Sequence, residues 1–195
     1  MKIVAVTNIK GGVGKTTTAV NLAFLSAAGG NKTLLWDLDP QGAATYILQC
    51  EANERASAKK LVAGKLELPE LLVASGYEHL DVLPSDFSYR KFDVHLNNRK
   101  RPVERLLKMS RSLRGEYAAL FLDCPPGISL LSENVLRAAD AVVVPLLPRF
   151  KLLLPVKVSG VPVRNDRIPV TCQPPTILPA RLCAINRLPG PKGRR

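Results

Sequence analysis

The segment Asn8–Ala19, NIKGGVGKTTTA, decides how the rest of the chain is read. It follows a β-branched run, Lys2–Thr7 (KIVAVT), and opens Thr16–Ala28, a helix-forming stretch stopped by Gly29-Gly30. Strand, glycine-rich turn and helix in that order form the setting of a phosphate-binding loop. Glycines let backbone N–H groups turn inward around an anion, and the start of the next helix adds its dipole. Lys15 then faces the β- and γ-phosphates, and the Thr16 hydroxyl holds Mg2+. The common motif has glycine where this chain has Ile9, and it asks for no second lysine such as Lys10.

Outward from this loop the chain keeps alternating. Thr33–Asp37 (TLLWD) reads as a central strand, and Leu80–Leu83 as another, closed by Pro84. Ala118–Leu122 (AALFL) and Ala141–Val144 (AVVV) are also strand-like. Helices are expected over Leu68–Ala74, over Val103–Leu113 and from about Ser132 to Ala139. Strands alternating with helices predict an α/β fold, a mainly parallel twisted sheet with helices on both faces. In LLWDLDPQGAAT (34–45), Asp37 and Asp39 stand two apart at a strand end, so both carboxylates can reach one side.

KGGVGKTTT resembles the deviant Walker A motif of the ParA/MinD group of ATPases, and the resemblance implies a P-loop NTPase fold. In that group the first lysine, here Lys10, crosses a dimer interface to the phosphates bound by the other subunit. The physical sense is that two polyanionic nucleotides sandwiched between subunits need cations from both sides. By the same resemblance Asp39 orients the attacking water and Asp37 sits nearer the water shell of the metal. DPQGxAT is more typical of the ParA branch than of MinD relatives. YAALFLDCPPG (117–127) is similar to the Walker B element, with Asp123 on Mg2+ and Cys124 a packed neighbour. The likeness continues through ISLLSENVLRAADAVVVPLLP (128–148).

The implied nucleotide-binding residues are Lys10, Gly11, Gly12, Val13, Gly14, Lys15, Thr16 and Thr17. Lys10, Lys15 and Asp39 carry catalysis, and Thr16, Asp37 and Asp123 hold the metal. The resemblance further implies ATP and Mg2+ as ligands, a homodimer formed on ATP binding and non-specific DNA association. It also implies activation by a ParB-like centromere-binding protein, segregation of a chromosome or plasmid, and a cytoplasmic, nucleoid-associated location. Three alternatives stay open: a positioning ATPase for another cargo, an amide-forming synthetase of the cobyrinic acid diamide type, and a truncated non-catalytic binding module.

Composition divides the chain near Pro148. Residues 149–195 hold ten Lys/Arg against the single acid Asp166, while residues 1–148 hold eighteen against fifteen. Eight of the sixteen prolines fall in those last 47 residues. The expectation is therefore an ATPase core over 1–148 and a basic, proline-rich tail over 149–195, where relatives continue with further strands and helices. The tail contains Ile185–Arg187 (INR), faintly similar to a late strand of the group that bears an adenine-contacting asparagine. Its prolines forbid an amphipathic membrane helix, and no stretch approaches the ~20 apolar residues needed to span a bilayer. Four dispersed cysteines without a CxxC pair suggest neither a zinc site nor a disulfide framework. Arg101, Arg105, Lys108 and Arg111 fall on one face of the expected helix, a stripe suited to phosphates without sequence readout.

Overall fold

The computed structural model describes residues 1–146. The proline-rich tail, including Ile185–Arg187, lies outside them. The chain runs β1 (Lys2–Val6), α1 (Lys15–Ala28), β2 (Thr33–Asp37), α2 (Ala43–Ile47), α3 (Ala58–Ala63), β3 (Val73–Ala74), β4 (Leu80–Leu83), α4 (Phe92–Asn97), α5 (Arg105–Met109), β5 (Ala119–Asp123), α6 (Leu130–Ala138) and β6 (Ala141–Val143). The strands form one sheet in the order β3-β4-β2-β5-β1-β6. Every pairing is parallel except that of the short β3 with β4.

β1, β2, β4 and β5 feed two cores with alternate side chains, as pleated strands covered on both faces must. Ile3, Ala5, Leu34, Trp36, Leu120 and Leu122 point to one face, where α3, α4, α5 and α6 pack. Val6, Leu35, Val82 and Phe121 point to the other, against α1 and α2. All five residues of β2 are buried, which is why TLLWD carries no polar alternation. Each leucine so buried contributes about 1.5–3 kcal/mol. On α1 the buried face is Ala19, Val20, Ala23 and Ala27, small side chains that let the helix lie close to the sheet. The helix ends where Gly29 and Gly30 return N–H groups to Leu25 and Ala27, with Gly30 in the left-handed region.

Two expected helices take other forms. Over Leu68–Ala74, Pro69 fixes a short 3-10 turn (Leu68–Leu71), after which Leu72 is extended and the chain joins the sheet as β3. Val103–Leu113 is a 3-10 turn, the five-residue α5 and a second 3-10 turn, not one helix. The hydroxyls of Ser110 and Ser112 donate to the carbonyls three residues back, Leu107 and Met109, and compete with a regular ladder. β6, the last strand among the described residues, stops at Val143. Among the described residues β6 pairs with β1 alone.

Candidate functional site

The parallel register places three chain positions in one row at the carboxyl ends of the central strands. Val6 on β1 lies opposite Asp123 on β5, and Asp123 lies opposite Asp37 on β2. The glycine loop therefore leaves β1 beside both acids. The chain also changes direction here. From β1 it passes through α1 to β2 on one side, and β6 lies on the other. Such a switch point is the usual crevice for a ligand in an open α/β sheet.

The loop is held from below and left open above. The Asn8 amide donates to the carbonyl of Pro145 (2.8 Å), and its Oδ1 accepts from the Lys10 N–H (2.9 Å). Gly12 and Gly14 have φ of +69° and +84°, the left-handed region that strains any side chain. A Cβ at Gly11, Gly12 or Gly14 would meet nothing within 4 Å. These glycine positions thus face open space rather than protein. Val13 is buried and pins the loop to the core, while Thr17 is exposed at the start of α1. Lys15 is buried, and its Nζ donates to the carbonyl of Lys10 (3.1 Å), across the loop. Lys10 itself is exposed. The two lysines of the loop thus differ in burial, Lys15 inside it and Lys10 at the surface.

The acids behave differently from one another. Asp123 is fully buried, and neither of its carboxylate oxygens has a well-formed hydrogen-bond partner among the described residues. Burial pushes its carboxyl up to about 7, aided by the charges of Asp37 and Asp39 and opposed by Thr16 and Lys15. A buried carboxylate with no donor better placed than the Thr16 hydroxyl is costly, so this position is electrostatically incomplete without a cation. Thr16 is the adjacent hydroxyl. Among the described residues no group of three or more His, Cys, Asp and Glu could hold a metal alone. One carboxylate and one hydroxyl suit Mg2+, which keeps waters and takes its other oxygens from phosphates.

Asp37, expected near the metal, is committed to protein. Its Oδ2 accepts from the N–H (2.9 Å) and the hydroxyl (2.7 Å) of Thr45, and its Oδ1 from the Asp39 N–H (3.2 Å). Burial still raises its pKa against those bonds. The Thr45 hydroxyl also accepts from the Ser85 N–H (2.8 Å), and the Ser85 hydroxyl donates to the Asp39 carbonyl (2.5 Å). Thr45 and Ser85 thus tie the turn bearing Asp39 to the end of β4. Neither was singled out in the sequence, although Thr45 stands inside DPQGAAT and Ser85 directly follows the strand-ending Pro84. Asp39 is half-buried, with its Oδ1 accepting from the Gln41 N–H (3.0 Å). Cys124 is buried and burial pushes its thiol far up, which leaves it no nucleophilic role.

A family model described as an AAA domain matches residues 1–153. The chain belongs to this family, in its ParA/MinD-type branch. It is 37% identical over 146 residues to the sporulation initiation inhibitor protein Soj of Bacillus subtilis, covering 74% of this chain and 58% of that one. It is 36% identical over 153 residues to the chromosome partitioning protein ParA of Caulobacter vibrioides, covering 77% and 57%. The chain therefore spans just over half the length of these curated relatives. Among solved structures, it is similar to cobyrinic acid a,c-diamide synthase from Mycobacterium smegmatis with bound ADP and magnesium (TM-score 0.70, 32% identity, 75% of this chain and 60% of that one). It is also similar to a putative plasmid partition protein from Borrelia burgdorferi bound to AMPPNP (TM-score 0.67, 25% identity, 74% and 61%). The ParA-type fold was thus legible from the motifs.

The four cations expected on one helix face come from three separate elements. Arg101 precedes the 3-10 turn with φ +54° and pairs with Glu104 at 3.7 Å. Arg111 lies in the second 3-10 turn beyond α5, which contains only Arg105 and Lys108. Arg105 is half-buried and donates to the carbonyl of Val62 on α3. Lys108 and Arg111 are exposed. The helix is broken, yet all four cations line one shallow hollow, with Glu104 among them. No helix among the described residues is long and apolar enough to cross a membrane.

Proposed function

We propose that this chain binds Mg-ATP at the loop Lys10–Thr17 and hydrolyses it as a ParA-like partition ATPase. The observation that carries this reading is the orphaned Asp123 carboxylate beside Thr16, at the mouth of a glycine loop whose Lys15 is turned inward. Backbone N–H groups of Gly11–Thr16 receive the phosphates, and Lys15 exchanges the Lys10 carbonyl for phosphate oxygen. Thr16 and Asp123 hold Mg2+, which when bound neutralises charge on the β- and γ-phosphates. Asp37 keeps the turn in place through Thr45, and Asp39 on that turn accepts a hydrogen bond from the attacking water. Lys10 reaches the nucleotide of a second copy, so that ATP is sandwiched in a homodimer.

The same reading places the protein in the cytoplasm on the nucleoid, bound to DNA without regard to sequence. Arg101, Arg111 and the cations of residues 149–195 supply the contacts, and a ParB-like protein stimulates release. Chromosome or plasmid DNA is the cargo. The fold alone fits the diamide synthase as well as the partition proteins. The curated relatives Soj and ParA, with DPQGAAT, favour partition. The test is phosphate release by the whole chain, with light-scattering mass measured in parallel for Asp39→Ala. The reading expects slow turnover of ATP in the parent and an ATP-dependent doubling of mass in the variant. Tight nucleotide binding without turnover in the parent would instead make the chain a non-catalytic module.

A further inference from the structure

Away from the phosphate loop, and sharing no lining residue with it, a cleft of about 690 Å3 opens between α3 and the segment around α5. Its apolar lining includes Leu66, Leu68 and Met109. Its lining carries Arg99, Lys100, Arg105 and Lys108, against the single acid Glu67 among the described residues. A second hollow of about 430 Å3 shares Lys100, Arg105 and Lys108, and adds Arg101, Arg111 and the acid Glu104 that pairs with Arg101. Arg99, Lys100 and Lys108 are exposed. Arg105 is anchored on the Val62 carbonyl, and its Nε–H is shielded from water without an acceptor among the described residues. The guanidinium is thereby fixed at the edge of the cleft.

We propose that this cleft is a docking site for an acidic, amphipathic peptide segment of a partner protein. Carboxylates of the segment pair with Arg99, Lys100 and Lys108, and one of its apolar side chains sits on the half-buried Met109 beside Leu66. Charge complementarity selects this occupant. The chain's own residues 149–195, with ten cations and one anion, would be repelled from the rim. Duplex nucleic acid presents phosphates on a convex ridge and nothing apolar to fill the floor. An amphipathic helix laid in a groove satisfies both surfaces at once. The inference does not depend on nucleotide hydrolysis.

The test uses the full chain and a fluorescein-labelled peptide of about fourteen residues, with leucines at helical spacing and Asp or Glu between them. A second peptide has serine for every leucine, and a short DNA duplex serves as competitor. Anisotropy should show saturable binding of the leucine peptide, weakened about tenfold or more by Lys100→Glu with Lys108→Glu and weakened again by added salt. The milder Lys108→Gln should weaken it less, and melting curves establish that each variant is folded. Met109→Ser should reduce affinity for the leucine peptide and leave that for the serine peptide unchanged. Three results would each overturn the proposal: no saturable binding to the folded chain, equal binding of both peptides, or displacement by the duplex with no effect of Met109→Ser. The last would make the cleft a nucleic-acid surface.

Discussion

Replacing Asp123 by asparagine should make the metal-free protein more stable while removing its response to Mg2+. The carboxyl is held at about 7, against 3.8 in a solvated aspartate, because it is buried beside Asp37 and Asp39. Its folded pKa lies above its unfolded one, so between those values the folded state binds the extra proton. Stability from this group is therefore greatest at low pH and falls as pH rises toward about 7. Three pKa units at about 1.36 kcal/mol each put the full penalty near 4 kcal/mol above that pH, as an upper bound. Asp37, also raised by burial, adds to the same slope. In EDTA, urea unfolding should show the parent losing about 3 kcal/mol between pH 5 and pH 8. Asp123→Asn should flatten most of that slope and exceed the parent in stability at pH 8. Mg-ATP should raise the melting temperature of the parent and not that of the variant. A variant less stable than the parent at pH 8, with the slope intact, would refute the reasoning, because Asp123 would then be satisfied without a cation.

Three further outcomes follow from the same geometry. Asp39→Ala should keep ATP affinity within a few-fold but slow phosphate release by roughly a hundredfold, the usual scale for a lost general base. Thr45→Val leaves the Ser85 N–H without its acceptor and Asp37 short of one donor, so thermal unfolding should report a loss of about 1–3 kcal/mol. Thr45→Ser should recover most of it, since the hydroxyl is what bridges. Gly14→Val forces a β-branched residue to a φ of +84°, and should cost about 1–3 kcal/mol by urea titration and reduce nucleotide binding as well.

The parts legible in the sequence were those whose signal is local. A glycine loop between a β-branched run and a helix admits few other readings, and the centres of TLLWD and ALFLD are apolar without alternation because both their faces are covered. Short elements were missed because five or six residues give no readable helical period. This holds for α2 and α3, and for α4, which follows a 3-10 turn. Val103–Leu113 shows the opposite error. Its apolar spacing was helical, but Pro102 and the serine back-bonds at Ser110 and Ser112 divide it. At the site, Lys15, Thr16 and Asp123 were placed by motif alone. The Thr45–Ser85 tie was not, because it joins residues 40 apart that only the β2–β4 pairing brings together.

The central claim is that Lys10–Thr17 is a working phosphate loop completed by a cation at Asp123. Equilibrium titration with a fluorescent ATP analogue, in Mg2+ and in EDTA, tests it most directly when the parent is compared with Lys15→Ala. Lys15 supplies the buried ammonium of the loop, and its loss should weaken binding by about a hundredfold or more. Removing Mg2+ should weaken the parent substantially and the variant little further. ATP affinity in Lys15→Ala equal to that of the parent, or a parent indifferent to Mg2+, would contradict the account.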